Sequence, residues 1–117
     1  MDQKGVRTLR IFVTTNFEGI HQYIDAPEEV NFLRNPHRHL FGVYVEMDVF
    51  NDDRELEFIM VKRFVKDQFT KLSYDNMSCE QIARRLLGIL ITEYGNRNYK
   101  IVIDEDKENG AILQEVS

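Results

Sequence analysis

The chain has 117 residues, 43% of them hydrophobic and 30% charged, with six glycines and two prolines, which fits one globular domain over 1–117 and leaves no room for a second. Fifteen basic against twenty acidic residues give a formal charge of -5, so the basic surplus that phosphate-backbone binding demands is missing, and the adjacent Arg84 and Arg85 read as a solvated helix face. The longest apolar run, Leu86 to Ile91, is far short of the about 18 residues of a membrane span, and Met1 to Lys4 lead into no apolar core, which predicts a soluble, cytoplasmic protein.

In chain order, Leu9, Ile11 and Val13 alternate with Thr8, Arg10, Phe12 and Thr14, and this period of two predicts a first strand over Val6 to Phe17. From Glu18 to Pro36 the pattern breaks up around Gly19, Asp25, Pro27 and Pro36, which predicts a long loop, and loops of that length in a small domain tend to be functional. The odd positions from His37 to Val49 then fall on one face of a second strand. Asn51 to Arg54 make a polar turn.

Glu57 to Phe69 place Val61, Phe64, Val65 and Phe69 at spacings of three and four, an amphipathic helix. Ser78 with Gln81 reads as a capping box opening a second helix, whose Ile82, Ala83, Leu86, Ile89 and Leu90 share a face until Gly95 closes it. Tyr99, Ile101 and Ile103 mark a third strand, and Asn109-Gly110 predicts the hairpin turn before a fourth over Ala111 to Val116. The order strand, strand, helix, helix, strand, strand favours an α+β fold, a two-layer antiparallel sheet with both helices on one face. The other face of such a sheet needs a partner, and a domain this small gains from oligomerisation.

Cys79 is the only cysteine, so neither an intrachain disulfide nor a thiolate zinc cluster can form, and a metal site must draw on histidine and carboxylate. All three histidines lie between positions 21 and 39. His37 and His39, two apart on a strand, direct both imidazoles to one face at the strand's N-terminal end, and His21, just past the first strand, can approach the same end. Three imidazoles with an open coordination position suit a zinc site of the catalytic type; partly buried, hydrogen-bonded histidines without metal fit the same spacing.

Glu105 closes the apolar stripe of the third strand, where it either marks the entry into solvent or offers a carboxylate that accepts two parallel N–H donors of an amino-pyrimidine ring. Cys79, in the first turn of the second helix, stands where a helix dipole favours thiolate, although a lone cysteine beside a cap needs no role.

Taken together, these segments resemble the 6-pyruvoyl-tetrahydropterin synthase and 6-carboxytetrahydropterin synthase family, which has the tunnelling fold (ββααββ). Phe17-Glu18-Gly19-Ile20-His21 is similar to the family's Phe-x-x-x-His element and His37-Arg38-His39 to its His-Gly-His strand. Glu57-Phe58 looks like its Asp-Phe ahead of the first helix, Met77 to Ala83 like its Pro-Thr-x-Glu-Asn-Leu-Ala helix opening, and Ile103-Asp104-Glu105 like the strand bearing the pterin anchor. The resemblance implies a zinc-dependent lyase with His21, His37 and His39 as metal ligands and Glu105 as ring anchor, and with Glu80 and Asp75 as secondary ligand-binding and catalytic candidates. It also implies a pterin-like or purine-like small-molecule ligand and a homo-oligomer, a trimer or stacked hexamer.

The departures are specific. Leu33 stands where the family has its catalytic cysteine, four residues before the His-x-His, and Tyr74-Asp75-Asn76 lacks the histidine of the family's Asp-His pair. Arg38 replaces the glycine between the two metal-binding histidines. Zinc-binding parts are kept and proton-transfer parts are lost, so the sequence leaves three readings: an enzyme of this class, an inactive relative that binds or sequesters the ligand, or an oligomeric structural protein with the histidines in its core.

Overall fold

A computed structural model describes residues 8–116. The chain runs β1 (Arg10–His21), a short 3-10 segment (Glu28–Arg34), β2 (His37–Asp48), α1 (Phe58–Lys71), α2 (Cys79–Tyr94), β3 (Tyr99–Glu105) and β4 (Asn109–Glu115). The strands form one antiparallel sheet in the order β1-β2-β3-β4. This is the mixed α+β arrangement expected from the alternation of patterns. Among the described residues no helix is long and apolar enough to cross a membrane.

Period-two alternation sends one side chain in two to the helix-covered face. On β2 these are Phe41, Val43, Val45 and Met47, and on β3 Tyr99, Ile101 and Ile103, all at most 3% exposed. They pair across the ladder as Val43 with Ile103, Val45 with Ile101 and Met47 with Tyr99. Val61 and Val65 of α1 and Ile82, Leu86 and Leu90 of α2 complete the same core, with α1 lying over β1 and α2 over β3 and β4. Both helices therefore cover one face. On the other, Phe12, Leu40 and Ile112 remain exposed, and Phe12 stacks on Tyr44 with ring centroids 5.7 Å apart.

The helix ends follow their local chemistry. Glu57, expected as the first residue of α1, instead caps it, its carboxylate accepting from Ile59 N at 2.8 Å, and the helix runs two residues past Phe69. The capping box is complete: Gln81 N donates to Ser78 Oγ at 3.1 Å and Ser78 N to Gln81 Oε1 at 2.9 Å. Gly95 ends α2 at a φ of +86°. Arg84 and Arg85 are exposed, and Arg85 holds the inter-helix loop by donating to Ser73 O at 2.9 Å.

Three expectations are corrected. β1 does not stop at Phe17: pairing with β2 continues through Gly19 opposite His39 to His21 opposite His37, because the backbone groups at the start of β2 need partners and β1 supplies them. Of the expected start of that strand, positions 6–7 lie outside the described residues. The intervening loop is accordingly shorter, and it is ordered by its own bonds, with Tyr23 N donating to Leu33 O at 2.8 Å, Gln22 Nε2 to Arg34 O at 2.8 Å and Arg34 Nε to Ala26 O at 2.9 Å. Finally, the β3–β4 turn is made by Asp106 and Lys107, at φ of +56° and +61°, while Asn109 and Gly110 are already in β4, opposite Glu105 and Asp104. Gly110 is needed for space, since a Cβ there would lie 1.9 Å from Ile103 O.

Gly19 also makes room. A Cβ at this position would stand 2.9 Å from Phe41 Cε2, and the Phe41 ring is held by stacking on Phe17 at 5.0 Å. Gly19→Val should therefore destabilise the fold by about 1–3 kcal/mol through overpacking, measured by urea denaturation against wild type; equal midpoints would mean that Phe41 has a second place to go.

Candidate functional site

The histidine end of the sheet is an extension of the core face. Beyond Phe41, the same face of β2 carries His39 and then His37, and the β1 partner of His37 is His21. A strand pair thus presents two imidazoles directly opposite each other and a third two residues along. The ring centroids lie 4.6 Å (His37–His39), 5.3 Å (His21–His37) and 6.1 Å (His21–His39) apart. Three imidazoles bound at about 2.0–2.1 Å in tetrahedral directions around one zinc ion have centroids about 5 Å apart, so the spacing matches.

The hydrogen bonds select which nitrogen each ring offers. His37 Nδ1 lies 2.8 Å from Asn35 O, a group that only accepts, so Nδ1 carries the proton. His39 Nδ1 lies 2.7 Å from Asp106 Oδ2, again the donor side of the ring. In a neutral ring protonated at Nδ1, Nε2 is the nitrogen that carries the lone pair. The two Nε2 atoms, together with His21 Nδ1, are buried and have no hydrogen-bond partner, although buried polar atoms nearly always do. Among the described residues no group of three or more His, Cys, Asp or Glu side chains is placed so that it could hold a metal ion.

Two carboxylates flank His39. Glu105 Oε2 is 3.5 Å from Nε2, an ion-pair distance without hydrogen-bond geometry. Asp106 Oδ1 accepts from Leu40 N at 2.9 Å while its Oδ2 meets the ring. The His39 contact first, and the Leu40 amide second, hold the Asp106 carboxyl below the usual aspartate range.

Cys79 joins this end of the molecule, which the sequence did not anticipate. It is 6% exposed, and its thiol donates to Glu105 Oε1 at 3.8 Å. The dipole argument for a thiolate is overturned. Burial first, then the charges of Glu105 and Glu80, push the thiol up to about 12. A cavity of about 340 Å³ opens here, with His21, Cys79, Glu80 and Glu105 in its wall. The larger hollow of about 730 Å³, beside Tyr44, Lys62 and Lys66, contains none of these groups.

Of the residues singled out from sequence, His21, His37, His39 and Glu105 therefore meet, and Glu80 lines the same cavity. Asp75 is engaged elsewhere: its Oδ1 accepts from Ile20 N at 3.3 Å, pinning the inter-helix loop to the end of β1. Leu33 is half-buried in the 3-10 segment, with its carbonyl bonded to Tyr23. Sequence reasoning missed Asp106 and the placement of Cys79. The one signal for Asp106 was its position directly after the last residue of a strand; nothing local pointed Cys79 at Glu105. Neither a protein-family model nor a curated protein matches the chain.

The thiol has a measurable consequence. A group whose pKa is raised on folding, here from 9.0 to about 12, binds its proton more tightly in the folded state, so its stabilisation is full below pH 9 and is lost as pH rises toward 12. The slope is about 1.4 kcal/mol per pH unit at most. Denaturant unfolding at pH 8, 9, 10 and 11 should show a decline in wild type that is shallower in Cys79→Ser, and parallel curves would count against a buried neutral thiol.

Proposed function

We infer that this is a zinc-binding protein of the 6-pyruvoyl- and 6-carboxytetrahydropterin synthase type, acting on a pterin or related purine-like small molecule. One observation carries the reading: three buried imidazole nitrogens without partners, on rings spaced as tetrahedral zinc requires, beside an acceptor carboxylate. His21, His37 and His39 would hold the ion, which when bound supplies Lewis-acid polarisation of a substrate oxygen or an activated water. The chain's own contribution is orientation. The Asn35 carbonyl and the Asp106 carboxylate set the two tautomers, and Glu105 presents an acceptor-only group to the cavity for the paired N–H donors of an amino-pyrimidine edge.

A second reading, a catalytically inactive relative that binds or sequesters the same class of ligand, is favoured by a specific set of groups. Leu33 occupies the cysteine position, the only thiol is held protonated up to about 12, and Asp75 is tied to the Ile20 amide with no histidine beside it. Loss of a general acid or base costs roughly a hundredfold or more in rate. The exposed sheet face bearing Phe12, Leu40 and Ile112 supports a homo-oligomer, trimeric or hexameric as the resemblance implies.

Metal analysis of purified protein is the deciding experiment. We expect about one zinc per chain in wild type and loss of it in His39→Ala, as for a three-histidine site; wild-type protein that holds no zinc and cannot be loaded overturns both readings. In zinc-loaded protein, Glu105→Gln should keep the metal and lose at least tenfold in affinity for a pterin, followed by calorimetry. Product formation by wild type then separates the enzyme from the binder.

A further inference from the structure

We propose that Asp106 is the positioning residue of the metal site, fixing the His39 ring and strengthening its Nε2 as a ligand by drawing on the Nδ1 proton; this rests on the zinc reading above. The last β2–β3 ladder pair is Phe41 with Glu105. Asp106 continues the ladder by one more step with its side chain in place of a peptide group. Its backbone N donates to Leu40 O at 2.8 Å, its Oδ1 accepts from Leu40 N at 2.9 Å, and its Oδ2 accepts from His39 Nδ1 at 2.7 Å. The carboxylate is thereby locked to β2 at two points, and the ring it holds has one remaining nitrogen, buried and without a hydrogen-bond partner, with Glu105 Oε2 3.5 Å away.

The turn itself does not need this charge. A left-handed backbone position accepts glycine or asparagine as well as aspartate, and the next residue, Lys107, takes the same conformation while its N donates to Asp104 Oδ1 at 2.9 Å. What distinguishes aspartate here is the anion on the imidazole. Carboxylate–histidine–metal relays orient the ligand ring and raise its basicity, and their loss typically weakens metal binding 10–100-fold. Asp106 touches neither the metal position nor the cavity wall, so its action runs through His39 alone.

The test is zinc affinity, measured by competition with a chromophoric chelator, in wild type, Asp106→Gly, Asp106→Asn and Lys107→Gly. Glycine removes the carboxylate while tolerating the positive φ. We expect Asp106→Gly to bind zinc about 10–100-fold more weakly, Asp106→Asn to recover at most part of the loss because its single amide oxygen can accept from His39 Nδ1 or from the Leu40 amide but not from both, and Lys107→Gly to match wild type. The visible bands of the cobalt-substituted protein should shift in Asp106→Gly and not in Lys107→Gly, a change that a merely structural role for the turn would not produce. Wild-type affinity in Asp106→Gly overturns the assignment and leaves the zinc reading standing. Should that variant fail to fold by circular dichroism, Asp106→Asn decides, and unchanged affinity there overturns it equally. A wild type that binds no zinc removes the zinc reading and this assignment together.

Discussion

The antiparallel register between β1 and β2 is the constraint on which everything else depends. Twelve consecutive residue pairs run from Arg10 opposite Asp48 to His21 opposite His37, and because side chains alternate with a period of two, a slip of one residue would send the partners of one strand to the opposite face of the sheet. In the observed register one face reads, along β2, from Met47 through Val45, Val43 and Phe41 to His39 and His37. The apolar majority of that stripe is covered by the helices and makes the register energetically unambiguous. The histidines at its end inherit their alignment from the core, at no cost in local specification.

The polar end is then finished by elements from elsewhere in the chain. The capping box at Ser78 sets where α2 begins, and with α2 packed over β3 this brings Cys79 against Glu105. The β3–β4 turn brings Asp106 against His39. Their neighbours push the two acidic groups so assembled in opposite directions. The thiol, with carboxylates for neighbours, stays protonated; the Asp106 carboxyl, with an imidazole and an amide for neighbours, stays charged.

Much of the architecture was legible because it is periodic. Alternation along His37 to Asp48 and Tyr99 to Glu105 identified both central strands and put His37, His39 and Glu105 on the buried side, and the Ser78–Gln81 spacing located α2 to the residue. Where local pattern and tertiary pairing disagree, the reading failed. Glu18-Gly19-Ile20 looks like the start of a loop, yet β2 holds it as strand, and this extension turns His21 from a residue that can approach the site into one fixed opposite His37. Asn109-Gly110 has the stronger intrinsic turn preference, yet the turn forms three residues earlier, where Asp106 gains two bonds to β2 for its carboxylate.

The amino-acid sequence by itself determined the number and type of elements, the composition of the core and the placement of His37 and His39 on one strand face and of Glu105 at the end of another, because hydrophobic periodicity and capping are properties of neighbours along the chain. Only the tertiary structure decided that β1 reaches His21, that Asp106 meets His39 and that Cys79 faces Glu105 as a neutral thiol. Each of these is a contact between residues 16 to 67 positions apart, set by how strands pair and where a helix docks, and distances of that kind leave no trace in a local pattern.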